Sequence, residues 1–246
     1  MNQETHTERQ QLFSPVKSKR TFEEVSANIK ELILDGTLKV GDRLPPETQL
    51  AQQFNVGRQT IREALRLLEL SGFITVQRGG GGGTIIKDTI LRRISDLFID
   101  AFRMRRVGIE AITQARLEVE RIILDYALNN ATQQDLGKLR DNVEQAQKLI
   151  DTGQLATEAN AQFHGLLAKA TGNPVFVMVL ESIMAVHLDF LTRVPAGLET
   201  SAKVVKAHEL LVEAIENGDR AKAQSLLEDH LTEVRERLHQ VDQEEA

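Results

Sequence analysis

The 246-residue sequence contains no cysteine. Disulfides and thiolate-held metals are thereby excluded, and the chain suits a reducing compartment. It also lacks an uninterrupted apolar run near the roughly 20 residues that span a bilayer, so no membrane partner is expected. The first residues, "MNQETHTERQQ", are polar and include acids, which argues against a secretory leader. A cytoplasmic location is the expectation. No single sign of charge dominates: the net charge is −6, with 12 Lys and Arg against 11 Asp and Glu through residue 88, and 18 against 25 beyond it. A neutral first third thus precedes an acidic remainder, and partners must be sought in where the basic groups sit. What the chain does have is length for one large or two modest domains and a 41% hydrophobic content, enough for a buried core.

Residues 21–38, "TFEEVSANIKELILDGTL", place Val25, Ile29, Leu32 and Ile33 at helical spacing before Gly36. In "GDRLPPETQLAQQF" Pro46 suits the first turn of a second helix, with Leu50, Ala51 and Phe54 facing inward. A third helix follows in "GRQTIREALRLLELSG", with Ile61, Ala64, Leu65 and Leu68 as its core stripe. Ala51 is small, Asn55 can take a left-handed turn, and Ile61 is apolar. That order lets two helices cross closely at a steep angle, the pattern of a helix-turn-helix. Arg58, Arg62 and Arg66 share the outer face of the third helix, with Gln59 and Thr60 near its start. Such a face can donate to phosphates and to base edges in a major groove; a solvated helix surface would carry the same residues.

The next segment is "GFITVQRGGGGGTII". β-Branched and aromatic residues flank the glycine run on both sides, so it joins two strands of a hairpin. No Gly-Lys-Ser/Thr follows, and a nucleotide phosphate loop is unsupported. Arg78 at the shoulder and bare backbone from Gly79 onward could enter a minor groove or lie along phosphates. Residues 43–86, from "RLPPETQLAQQFNVGRQTIREALRLLELSG" to the glycine wing, resemble the winged helix-turn-helix of GntR-family bacterial transcription regulators. That resemblance implies operator contacts from Arg58, Thr60, Arg62, Arg78 and Gly79. Many relatives place an arginine directly after the Leu-Pro-x-Glu glutamate; here Thr48 stands there, which implies a somewhat different operator.

Beyond residue 88 the periodicity is helical throughout. Residues 89–105 form an amphipathic linker helix, and six further helices with short, Gly-marked joints predict an antiparallel bundle. The second of these six opens on a capping box, Thr132 and Asp135. The expected organisation is a flexible arm over 1–20, a winged helix-turn-helix over 21–88, the linker, and an all-α domain over 106–241. The fold class is mainly α.

Three histidines fall on apolar stripes: His164 with Leu167, His208 with Val204, Leu211 and Ile215, and His230 with Leu226, Leu227 and Val234. Asn160 lies four residues before His164 on the same face. His208 and His230 flank the Gly218–Asp219 turn at nearly equal distances, and at about 1.5 Å per residue their rings sit within roughly 2 Å of one height. One inward histidine is ordinarily a core residue; two at matching height beside an Asn–His pair point to a shared site. Imidazoles with an oxygen donor suit zinc, nickel or another borderline divalent metal.

Residues 112–120, 160–174 and 207–231 are similar to the all-helical (FCD) effector domain of the FadR-type GntR subfamily. Its metal-binding members use an aspartate and three histidines, which fall here on Asn160, His164, His208 and His230. The neutral amide is a weaker ligand, so an anionic effector would help complete the shell. The resemblance also makes Arg116 a candidate for gripping the effector's carboxylate, against a surface ion pair with Glu120. His187 matches no ligand position and is expected only to line the cavity. The expected function is a homodimeric regulator whose affinity for double-stranded operator DNA responds to a small carboxylate. Two alternatives stand beside it: a metal-free regulator with an acyl-type effector, and a metal-dependent hydrolase with a DNA-localising domain. The second is disfavoured because no nearby acid is placed as an obvious general base and Asp229 should face away from the cavity.

Overall fold

The computed structural model describes residues 20–77, 83–105, 107–191 and 197–244. The arm expected over 1–20 therefore lies, but for Arg20, outside the described residues, as do Arg78 and Gly79. The chain divides into two compact units, one ending at Ile90 and the other starting at Leu91.

The first unit holds helices α1 (Arg20–Leu34), α2 (Glu47–Gln53) and α3 (Arg58–Leu70), then strands β1 (Ile74–Gln77) and β2 (Gly83–Ile86). α3 packs on both α1 and α2. Its stripe of Ile61, Ala64, Leu65 and Leu68 is buried with Val25, Ile29, Leu50 and Phe73. Leu32 departs from the expected α1 stripe and is exposed, whereas Val25 and Ile29 are buried and Ile33 packs against the same core. Pro46 caps α2 from outside, with φ −55° and ψ 149°, instead of occupying its first turn. Asn55 takes φ 51°, alone among the described non-glycine residues in having a positive φ. The chain can thereby leave α2 and enter α3 within a few residues, as the Ala51/Asn55/Ile61 spacing requires.

β1 and β2 pair antiparallel, with Ile74 opposite Ile86 and Gln77 opposite Gly83. A single bridge adds Arg43 beside Ile85. The hairpin is fixed to α3 by the Val76 N–H, which donates to Glu69 Oε1 at 2.9 Å. Gly72 turns the chain from α3 into β1 at φ +85°, and a Cβ there would lie 3.0 Å from the backbone of Thr89 and Ile90. Only glycine satisfies both demands.

The second unit is all helix: α4 (Ile90–Arg105), α5 (Ile109–Asn130), α6 (Gln133–Asp151), α7 (Thr157–Ala170), α8 (Pro174–Leu191), α9 (Leu198–Glu216) and α10 (Arg220–Glu244). The Thr132–Asp135 capping box is formed at the start of α6. Asn173 Oδ1 accepts from the Val175 N–H at 3.0 Å as Pro174 opens α8, so the missing proline donor costs nothing. α8 is long and apolar enough to cross a membrane by length and composition alone, but it packs within the bundle against α5 and α7. The main core joins α5, α6, α7, α9 and α10 around Ile123, Leu124, Phe163, Leu167, Leu211 and Leu227. A second cluster, around Ile112, Ile183, Val186 and Val234, receives Phe98, Ile99 and Phe102 from α4.

Candidate functional site

On the first unit, the exposed face of α3 carries Arg58, Arg62 and Arg66. Arg62 is held by Glu47 at 2.8 Å, and Gln59 Nε2 donates to Glu63 Oε1 at 2.9 Å. Arg58 opens α3 and lines a shallow cleft with Thr48, Gln52 and Asn55. Thr60 is half-buried. The helix thus presents guanidinium and short polar donors at its N-terminal end, where backbone N–H groups also point outward.

The second unit contains a cavity between α5, α7, α8, α9 and α10, walled by Arg116, Asn160, His164, His187, His230 and Arg237 among others. His164, His208 and His230 are buried, and a ring nitrogen from each lies within 4.8 Å of the others. His208 Nε2 and His230 Nε2 are 3.3 Å apart, so the α9–α10 hairpin does bring the two rings level. Phe163 stacks on His208 with centroids 4.0 Å apart and fixes that ring's plane.

Arg116 and Glu120 form the expected ion pair, Nε to Oε1 at 2.6 Å, but it is buried instead of lying at the surface. α5 turns this face inward, against α7 and α8. Arg116 Nη1 meets His187 Nε2 and its Nη2 meets His164 Nε2, each at 2.8 Å. Glu120 Oε2 meets His164 Nδ1 at 2.6 Å. A guanidinium only donates and an ionised carboxylate only accepts. His164 therefore carries its proton on Nδ1 and its Nε2 lone pair accepts from Arg116, and His187 is likewise protonated on Nδ1. Glu120 is an acid that stands beside the histidines. Its carboxylate is spoken for by Arg116 and His164, which suits an orienting group better than a proton acceptor.

The electrostatics follow from burial. Desolvation opposes the charge on Glu120, but attraction from His164 and Arg116, with hydrogen bonds from both, holds the carboxyl well below the usual carboxylate range. Burial pushes His164 below the ordinary imidazole range despite the pull of Glu120. Burial, then neighbouring positive groups, pushes His208 and His230 further down. All three shifts favour the neutral ring, the form that can offer a lone pair to a cation.

The donor set fits a divalent cation. Zinc with bonds of about 2.0–2.1 Å places tetrahedral ligands roughly 3.3 Å apart, the separation of the His208 and His230 nitrogens. Asn160 Oδ1 is buried on the same wall with no hydrogen-bond partner, as an unfilled ligand oxygen would be. His164 would have to exchange its Arg116 bond for the metal. Two residues of this cavity escape a reading of the sequence. Glu120 looks like the partner of Arg116 in a surface pair, and Arg237 sits in the charged "EVRERLHQ"; only the seven-residue spacing from His230 puts it on the same face.

Comparison with known proteins agrees with both halves. The family described as "Bacterial regulatory proteins, gntR family" matches residues 21–83, and the FCD domain matches residues 111–233. The chain is 29% identical over 236 residues to the HTH-type transcriptional repressor NanR of Salmonella newport, covering 92% of this chain and 88% of that one. The same protein of Salmonella typhimurium gives 29% identity over 92% and 87% of the two chains. Among solved structures, a Streptococcus agalactiae GntR protein superposes with a TM-score of 0.63 at 24% identity, covering 87% of this chain and 99% of that one; this likeness concerns the fold.

Proposed function

Because the chain belongs to the GntR family of bacterial regulators and carries an FCD domain, which makes it a DNA-binding transcription regulator and not an enzyme, we propose that a small carboxylate sets its operator affinity. In this reading residues 21–88 bind DNA, 89–105 link, and 106–241 hold the carboxylate together with a divalent metal, zinc or nickel, in the cytoplasm. Arg58, Gln59, Thr60 and Arg62 meet the major groove, with Arg78 and Gly79 at the wing. Two copies bind a pseudo-palindromic operator, since one winged helix reads too few bases.

The observation that carries the effector reading is the convergence of three neutral, buried imidazoles on a wall that also holds the unpartnered Asn160 oxygen. His164, His208 and His230 would hold the metal, Asn160 would complete the protein's share, and Glu120 keeps the His164 lone pair aimed inward. When bound, a dication supplies a Lewis-acid anchor for an anionic oxygen. Arg116 is neutralised by Glu120, and Asn160 is uncharged where a carboxylate would offset the metal. An anion entering the cavity therefore offsets charge that the protein leaves uncompensated. Differential binding to two arrangements of the dimer would then change operator affinity.

The test is operator binding by the full-length, untagged protein, metal-stripped and metal-loaded, across a panel of small carboxylates. Metal-dependent and carboxylate-dependent shifts in affinity are expected, and both vanish in His208→Ala. An affinity indifferent to both refutes the switch. One observation favours a second reading: Arg116 already occupies the His164 lone pair. A regulator that takes its ligand, acyl-type or otherwise, without metal would retain its response after chelation.

A further inference from the structure

Arg237 is the charged group in this cavity whose role the preceding reading leaves open. It stands on α10 seven residues after His230, so both side chains leave the helix on one face, and both line the cavity with Asn160 and His164. Its Nε is buried and has no hydrogen-bond partner. The nearest acid influencing it is Glu233, one turn back on its own helix, and burial pulls the guanidinium below its usual range in spite of that acid. Among the described residues no ion pair neutralises it.

Arg116 presents the opposite case. Its Nε donates to Glu120, its two Nη groups face His187 and His164, and its charge is matched by a buried carboxylate 2.6 Å away. To grip a carboxylate, Arg116 would have to abandon three short contacts. Arg237 would abandon none, and it would gain a partner for a buried N–H that otherwise stays desolvated and unsatisfied. A guanidinium also presents two parallel N–H groups matched to the two oxygens of a carboxylate.

We infer that Arg237, rather than Arg116, is the clamp for the carboxylate of the effector, and that Arg116 is a positioning residue that holds His164 and His187. Hydroxyl groups on the same walls extend this ligand class. Ser201 Oγ accepts from the Ala156 N–H at 3.0 Å, which leaves the serine hydroxyl proton free to donate to a ligand oxygen; Thr157 and Thr200 line the cavity beside it. The ligand is then a small carboxylic acid carrying at least one further oxygen. The inference rests on the carboxylate reading above but not on the metal.

The experiment uses acetate as the minimal probe and acetamide, of nearly the same shape without the charge, as its control. Acetate is titrated into full-length protein while the arginine Nε–H resonances are followed, in wild type, Arg237→Gln and Arg237→Lys. Zinc affinity without carboxylate is measured on the same samples, and melting curves confirm that each is folded. Acetate should shift one buried Nε–H signal in wild type, acetamide should not, and Arg237→Gln should weaken acetate by about 10- to 100-fold. Arg237→Lys should recover part of the affinity, because charge returns without the fork. Zinc affinity should be unchanged in both variants. The clamp is overturned if Arg237→Gln binds acetate as wild type does, if acetamide binds equally well, or if wild type binds no acetate at all. Arg237-dependent acetate binding in a protein that takes no zinc would leave the clamp standing and remove the metal from the proposed function.

Discussion

Glu120 Oε2 lies 2.6 Å from His164 Nδ1 and, through its other oxygen, 2.6 Å from Arg116 Nε. One buried carboxylate therefore fixes the tautomer of a candidate ligand and neutralises the adjacent guanidinium. Replacing Glu120 with Gln should have two separable effects. Zinc affinity should fall about 10- to 100-fold, as when an outer-shell partner is lost. Stability should fall by about 3–5 kcal/mol, because Arg116 is left buried without its counter-ion. A double variant, Arg116→Met with Glu120→Leu, should regain much of the stability but not the metal affinity, as urea melts and metal competition would reveal. Equal recovery of both would contradict the orienting role.

His187 gives a pH dependence of stability. Burial, and next the charge of Arg116, hold its folded pKa well below the ordinary value. The unfolded ring takes up a proton near pH 6.5 while the folded ring does not. Its contribution is thus fully present above about 6.5 and declines as pH falls, by up to about 1.4 kcal/mol per pH unit. His187→Gln keeps an acceptor for Arg116 and removes the titration. Urea midpoints from about pH 7.5 to about pH 5.5 should fall less steeply in this variant, by close to one proton's worth. Parallel slopes would mean that the ring is protonated in the folded state.

The α3 arginines should differ in how they serve DNA. Arg58 and Arg66 have no ion pair among the described residues, whereas Arg62 is held by Glu47. If Arg58 meets a phosphate, Arg58→Ala should weaken binding across sequences and reduce the salt slope by about 1. Arg62→Ala should alter the slope less, because Glu47 is released with it. Fluorescence anisotropy over a salt series distinguishes the two.

An apolar surface favours the proposed self-association. Tyr126 and Ile122 on α5 are 48% and 49% exposed, and Val175 and Val179 on α8 are 58% and 41% exposed. Tyr126 packs against Phe176 with ring centroids 5.0 Å apart, so the two helices contribute to one face. Exposed apolar area of this kind marks an interaction surface. Val179→Glu should weaken a dimer built on this face by at least about tenfold, visible in sedimentation equilibrium. An unchanged dimer would place the two-fold elsewhere.

The winged helix-turn-helix was legible because its constraints are local. Asn55 must go left-handed, Ala51 must be small, and the stripe of α3 repeats at helical period. The level placement of His208 and His230 was also legible, since a short turn and a fixed rise determine it. Glu120 was not. A charged pair four residues apart reads as solvated, and only the packing of α5 against α7 and α8 decides that this face turns inward. Arg237 was hidden for a similar reason: in "EVRERLHQ" every charge looks surface-bound until the cavity beside α10 is known. Leu32 erred in the other direction: helical spacing counted it into the α1 stripe, but it is exposed.

Asn160 has a chemical consequence of its own. An amide neither gains nor loses a proton across any pH a cell meets, so as the proposed ligand its oxygen would pull on a cation equally in acid and in base. It also carries no full charge to hold an incoming dication by itself. Under the proposed function the pocket would work as an AND gate, in which cation and anion each stabilise the other, and Asn160→Asp would be expected to hold the metal without the carboxylate.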